Sequence, residues 1–262
     1  MSEKEVEDLT KKGKEKDCSE ALITLGERPE EYEMMEKKLR KWGYRNTIDY
    51  LENLSIQILD RGLLPHINPG VIEKSEMIQL KEYCASMGLM LESATDLPVH
   101  KNSPGKKPEI RITMIEQAGE LKIPFTTGIL IGIGESWKDR VKSLMEIREI
   151  NEKYGHIQEV IIQPFIPKEG TPMENKSTPD HIEIINTVQL ARSMMPEMNI
   201  QVPPNLAGDL MDLLQVGAND LGGISPVTDD YINPENPWPE IKDMYSKIEK
   251  SGFELKERLP IY

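Results

Sequence analysis

The stretch Ile123–Ser136, IPFTTGILIGIGES, decides how the chain is read. It opens with an apolar run too short to cross a bilayer, which needs about 18 such residues, and it contains Pro124, Thr126 and Thr127. It then passes into a glycine-rich turn, and Ser136 caps the amphipathic helix WKDRVKSLMEIREINEKYG. A fully apolar strand followed directly by an amphipathic helix is one βα unit of a parallel sheet buried on both faces.

The same unit recurs on both sides. ALITL (Ala21–Leu25) precedes GERPEEYEMMEKKLRKWG, where Pro29 and a glutamate-rich first turn start a helix and Gly43 stops it. LLPHI (Leu63–Ile67) is followed by NPG and a helix over about Ser75–Ser86, and GLMLES (Gly88–Ser93) by a loop containing SPGKKP. EVIIQPF (Glu159–Phe165) leads to a helix over His181–Met194, and Asn199–Val202 to a small helix around Leu206–Gln215. A weaker run, AND followed by LGGIS, makes seven candidate strands before a last helix over Ile241–Ser251. A closed α/β barrel wants eight. The charged helix Glu3–Lys16 has no strand before it, so the expected fold is an incomplete TIM-type (β/α) barrel of about seven units without its first strand. No internal repeat or linker appears. One domain over 1–262 is expected, with 228–262 as a C-terminal extension.

Composition narrows the function. With 32 Lys and Arg against 45 Asp and Glu, the net charge of −13 disfavours nucleic acid and anionic membranes as partners. The first twenty residues are charged throughout and hold no export signal, so a cytoplasmic location is expected. Cys18 and Cys84 are the two cysteines, too few for a disulfide framework, a four-cysteine zinc site or a full thiolate shell around an iron–sulfur cluster. No metal ligand is assigned.

In a barrel, chemistry sits at the carboxyl ends of the strands. The residues there are Gly26 and Glu27, His66 and Asn68, Glu92 and Ser93, Gly132, Ile133, Gly134 and Glu135, Gln163 and Phe165, and Asn205. Such a rim of acids, amides and glycines suits a ligand with an ammonium group and a ribose, because carboxylates accept from both and glycines let backbone amides approach. GILIGIGE is not a dinucleotide fingerprint, since Trp137 stands where GxGxxG needs glycine, and SPGKK lacks the first glycine of a phosphate loop. His100, His156 and His181 read as surface or loop residues without a role. His66 alone stands at a strand end, a weak catalytic candidate beside the commoner structural role.

CSEALITLGERPEEY, LLPHINPG, MGLMLESA, SPGK, IPFTTGILIGIGES, YGHIQEVIIQPFIPK and NDLGGISPVTDDYINPENPWP together closely resemble the radical S-adenosylmethionine (SAM) family of 7,8-didemethyl-8-hydroxy-5-deazariboflavin synthases, in the smaller subunit. The resemblance runs through nearly the whole chain. It implies a radical SAM barrel, a lyase of deazaflavin (coenzyme F420) biosynthesis, and two cofactors, SAM and a 4Fe-4S cluster. In such enzymes the reduced cluster cleaves SAM and the resulting radical takes hydrogen from the substrate. That substrate would be a hydroxybenzyl–diaminouracil ribityl adduct, cyclised with loss of ammonia, and the larger synthase subunit would be the functional partner that makes it.

Position by position, the resemblance implies that Gly26 and Glu27 hold the methionine ammonium and that Glu92 and Ser93 meet the ribose. Gly128, Leu130, Gly132 and Glu135 match GxIxGxxE, with Leu130 at the isoleucine place, and together with Ile133 they pack the adenine side. Gln163 to Phe165 fall where the next strand meets adenine. The family's CxxxCxxC motif and the strand before it are absent, so a truncated member is expected. Two rivals stand beside this reading: a non-catalytic barrel remnant that binds SAM or a partner subunit, and another radical SAM enzyme, such as the larger deazaflavin subunit or a biotin-synthase-like protein.

Overall fold

The computed structural model describes all 262 residues. Six strands, β1 (Glu20–Thr24), β2 (Leu64–Asn68), β3 (Ser86–Gly88), β4 (Phe125–Ile131), β5 (Ile157–Pro164) and β6 (Asn199–Gln201), form one sheet in the order β1-β2-β3-β4-β5-β6. Every neighbouring pair is parallel. Strands that pair in chain order with helical crossovers form a TIM-type arc, left open here between β1 and β6.

The expected seventh strand is reduced to a single bridge, Gln201 to Asp220. The pairing stops because Gly222 turns to a left-handed φ of 69° directly after it. The expected Gly88–Ser93 strand shifts to β3, and Glu92 rejoins the sheet through a bridge to Ile129.

The helices are α1 (Glu3–Glu15), α2 (Glu33–Trp42), α3 (Thr47–Asp60), α4 (Lys74–Lys81), α5 (Pro108–Glu120), α6 (Trp137–Tyr154), α7 (His181–Met194), α8 (Leu210–Gln215) and α9 (Ile241–Lys250). The span and capping box of α6 follow from Ser136 and Asp139, with Gly155 closing it in the left-handed region. Two differences from the sequence reading concern the first crossover. Pro29 opens a short 3-10 turn rather than α2, and α3, passed over in the sequence, adds a second helix capped by Asn46.

Side-chain alternation divides the sheet. Ile129, Ile131, Val160 and Ile162 are buried under the helices within a core of 36 residues, which Met244 and Ile248 of α9 also join. Leu130, Ile161 and Gln163 point the other way and are only half-buried, and Leu22 on β1 is 56% exposed. This is the expected consequence of an open arc, whose inner face lacks opposing strands.

The last residues close the amino-terminal end of that inner face. The Pro260 carbonyl accepts from Ser86 Oγ at 2.9 Å and from Gln158 Nε2 at 2.8 Å, both at strand starts. Arg258 bonds Glu159 at 2.9 Å and Asp220 at 2.6 Å, and the Tyr262 hydroxyl donates to the same pair.

Candidate active site at the carboxyl ends of the strands

The loops after β1, β3 and β4 carry most of the residues singled out in the sequence, and tertiary contacts tie two of them to one segment. Gly26 and Glu27 leave β1 and are exposed. Arg28 beside them takes a left-handed φ of 44° and reaches Glu76 on α4 with both guanidinium nitrogens, each at 2.6 Å, which anchors the turn. The Glu27 carboxylate lies against Gly105 so closely that a Cβ there would overlap both its oxygens. Within the chain it accepts no hydrogen bond and joins no ion pair, so its acceptors are free.

Glu92 is the opposite case. It is buried, sits at a left-handed φ of 62°, and is pinned by its amide to Gly128 O and by its carbonyl to Leu130 N, both at 3.0 Å. Three side chains converge on its carboxylate: His100 Nε2 at 2.9 Å, Lys106 Nζ at 2.8 Å and Arg111 at 3.2 Å. Burial alone would raise its pKa, but the hydrogen bond from His100 and the charges of Arg111 and Lys106 win, holding it down at about 2. Ser93 is buried next to it and accepts from the Thr95 amide at 3.1 Å.

The 104–107 turn therefore meets both acids, Gly105 at Glu27 and Lys106 at Glu92. Arg111 completes the brace by donating to Gly105 O at 2.9 Å and to Met90 O. Sequence reading missed this. In the sequence SPGKK reads only as a failed phosphate loop and His100 as a loop residue without a role, yet His100 is 6% exposed and paired with Glu92. The available signal is an accumulation of hydrogen-bond-donating basic residues, His100, Lys106 and Arg111, within twenty residues of a strand-end acid.

In the turn after β4, Gly132 and Gly134 have φ of 92° and 103°. Glu135 folds back over it, accepting from Gly132 N at 2.9 Å and Ile133 N at 2.8 Å, and from Arg140 at 2.8 Å. Its side chain is 3% exposed, so this carboxylate shapes the turn and is not free for a ligand. Gln163 and Phe165 leave β5 half-buried, and the Phe165 amide bonds Ile131 O at 2.8 Å.

His66 is buried on the inner face, and burial pushes its pKa down to about 4, so the ring is neutral. Nε2 lies 3.0 Å from Asn68 Oδ1 and Nδ1 lies 2.6 Å from Ser86 Oγ, which leaves no ring nitrogen for a substrate. His156, read as a surface residue, is also buried and meets Ile115 O at 2.9 Å. His181 is half-buried between Ala207 O and Asp212.

The free carboxylate of Glu27 beside Gly26 fits the ammonium of SAM, and the glycine turn after β4 fits close backbone approach to a planar base. The 4Fe-4S cluster does not fit these residues. Cys18 and Cys84 both precede strands, at the end away from Glu27, and burial raises both thiol pKa values, Cys84 to about 12. No group of three or more His, Cys, Asp or Glu is placed to hold a metal. A cavity of about 810 Å³ also opens at the amino-terminal end, between Tyr154, Met198 and Tyr262. No helix is long and apolar enough to cross a membrane.

Residues 1–163 match the model of the radical SAM superfamily. The chain is 54% identical over 247 residues to 7,8-didemethyl-8-hydroxy-5-deazariboflavin synthase of Archaeoglobus fulgidus, covering 94% of this chain and 76% of that protein. It is 50% identical over 270 residues to the synthase of Methanopyrus kandleri, covering 100% and 81%. Among solved structures, methylornithine synthase superposes with a TM-score of 0.72 at 21% identity, covering 98% of this chain and 74% of that one. The FeFe-hydrogenase maturase HydG of Carboxydothermus hydrogenoformans does so at 0.76 and 18%, covering 97% and 59%. These two likenesses concern the fold alone. By the extent and level of its sequence identity, the chain belongs to the radical SAM superfamily and, within it, to the 7,8-didemethyl-8-hydroxy-5-deazariboflavin synthases.

Proposed function

We propose that this chain is the SAM- and substrate-binding barrel of a deazaflavin synthase, a lyase that closes the deazaflavin ring of a hydroxybenzyl–diaminouracil ribityl adduct with loss of ammonia. The observation that carries the reading is the pair of strand-end acids in opposite states, Glu27 free and Glu92 neutralised, on one turn. Glu27 and Gly26 would take the methionine ammonium. Glu92, with Ser93, would keep the ribose side of the rim in place, its carboxylate acting through Lys106 and Arg111. Glu135 would hold the turn whose Gly132 and Ile133 backbone faces the adenine, and Gln163 with Phe165 would line its other side. SAM, when bound, supplies the hydrogen-abstracting group of this superfamily. The cluster does not fit these residues, because Cys18 and Cys84 cannot supply three thiolates for it. The larger synthase subunit is the proposed source of the substrate.

The cysteine count favours a second reading, in which the chain binds SAM without turnover. Calorimetric titration with SAM tests what the two share. Wild-type chain should bind, and Glu27→Gln should lose about 1.5–3 kcal/mol, the worth of a charge-assisted hydrogen bond. Equal affinity in both would remove Glu27 from the site. Production of 5′-deoxyadenosine then separates the two readings.

A further inference from the structure

His66 and Asn68 stand two residues apart on β2, on the inner face of the sheet, while Ile67 between them packs under the helices. Ser86 is the neighbour of His66 in register on β3. The Asn68 side chain lies across β3 at Gly88, where a Cβ would overlap it. Four groups thereby make one line of contacts through the barrel. The Asn68 amide is 3.0 Å from His66 Nε2, His66 Nδ1 is 2.6 Å from Ser86 Oγ, and Ser86 Oγ is 2.9 Å from the carbonyl of Pro260. The line runs from the carboxyl ends of the strands, where Asn68 sits below Glu27 and Glu92, to the 258–262 segment at the opposite end.

The Pro260 carbonyl gives this line a direction. A carbonyl only accepts, so the Ser86 hydroxyl spends its single hydrogen there. Ser86 Oγ then accepts from His66, which puts the hydrogen of the neutral ring on Nδ1 and leaves Nε2 an acceptor. The oxygen and nitrogen of an amide are told apart by their partners, so the Asn68 atom against Nε2 is its NH2 group and not its oxygen. In the reverse direction, with Ser86 donating to Nδ1, two acceptors would face each other at 2.9 Å, Ser86 Oγ and Pro260 O. That arrangement makes two hydrogen bonds and one repulsion, against three hydrogen bonds in the first. The other Asn68 amide atom has no partner within the chain, and it is not among the sealed unpaired atoms, so it stays open to the barrel interior.

We infer that Asn68 is a further ligand-facing residue of the site, with His66 as its positioning residue, and that the 258–262 segment decides through Ser86 that Asn68 shows an amide oxygen instead of an amide NH2. An acceptor suits SAM, which carries donors on its ammonium and ribose and a positive sulfonium, whereas an NH2 group would oppose them. Glu92 on the neighbouring strand cannot supply that acceptor, because its carboxylate is spent on His100, Lys106 and Arg111. The inference rests on the proposed function for its ligand, and on the contacts alone for the direction of the relay.

NMR of the chain labelled at its histidine nitrogens reads the ring directly, because protonated and unprotonated ring nitrogens resonate far apart. The His66 signals are assigned by their loss in His66→Gln. Wild type should show the Nδ1–H form, and Ser86→Ala should move the ring to the Nε2–H form. Calorimetric titration with SAM reads the consequence at the site. Ser86→Ala and Asn68→Ala should each bind about three- to tenfold more weakly, the worth of one neutral hydrogen bond. The double variant should lose no more than either alone, since both changes remove the same interaction. Thermal unfolding checks that the variants stay folded, and if Ser86→Ala does not, the wild-type tautomer and Asn68→Ala decide. An Nε2–H ring in wild type, unchanged SAM affinity in Asn68→Ala, or losses that multiply in the double variant would each overturn the inference. A wild-type chain that binds no SAM would overturn the proposed function instead, and the His66 tautomer would still decide the relay.

Discussion

Gly105 and Glu27, 78 positions apart in the sequence, meet so closely that no side chain can stand at residue 105 while the Glu27 carboxylate keeps its place. The carboxylate is the outer end of a flexible, exposed side chain, so it would move before the backbone does. Gly105→Ala should therefore weaken SAM binding with only a small loss of stability, because although Gly105 is buried the atoms its Cβ would displace are the far end of a flexible side chain. Titration and thermal unfolding of the same sample check both halves. A large drop in melting temperature with full SAM affinity would contradict it.

Glu135 satisfies two backbone amides of a turn held by Gly132 and Gly134 and also neutralises Arg140. Its removal leaves a nearly buried guanidinium with only Glu183, at 3.3 Å, as an acidic partner. Glu135→Ala should cost about 2–4 kcal/mol of stability, as losses of one partner from buried charge pairs do. Urea unfolding reads this directly. A cost below about 1 kcal/mol would show that the turn holds without the carboxylate.

The amino-terminal end of the inner face gathers Glu20, Glu159 and Asp220 around Arg258 and Tyr262. Burial raises the Glu20 pKa to about 7, with further upward pushes from Glu159 and Asp220 against the opposing pull of Arg258. The folded chain then binds a proton at Glu20 that the unfolded chain, with a pKa of about 4.3, releases earlier. Stability contributed here is full below about pH 4 and falls as pH rises to about 7. Glu20→Gln should remove that loss, gaining of order 1–2 kcal/mol at pH 8 and little at pH 4. Unfolding in urea across this range tests the sign, and a variant less stable than wild type at pH 8 would refute it.

Iron counting after anaerobic reconstitution tests the cofactor fit. A site-differentiated 4Fe-4S cluster needs three thiolates, and this chain has two, both at the end of the strands away from Glu27. Stoichiometric cluster should not assemble on residues 1–262. Four irons per chain together with 5′-deoxyadenosine production would overturn the argument.

The parallel sheet, the order of its units and the incomplete barrel were legible in the sequence because they depend on local patterning. Apolar runs such as FTTGILI and VII mark strands packed beneath the helices, and Ser136 and Gly155 mark helix ends by their own backbone chemistry. Strand-end acids followed from the same reading, since parallel strands put all their carboxyl ends on one face. What the sequence by itself could not determine is which acid is free. Glu27 and Glu92 look alike in LGE and LES, yet one is exposed and the other is surrounded by His100, Lys106 and Arg111. Only the tertiary structure decided that, because the state of a carboxylate depends on what the fold brings within about 4 Å of it, and those partners come from another loop and helix. The same holds for the weak seventh strand and for the plug formed by Arg258 and Tyr262. Pairing at a sheet edge and closure of a barrel end are set by contacts between residues 38 to 103 positions apart, which no local pattern records.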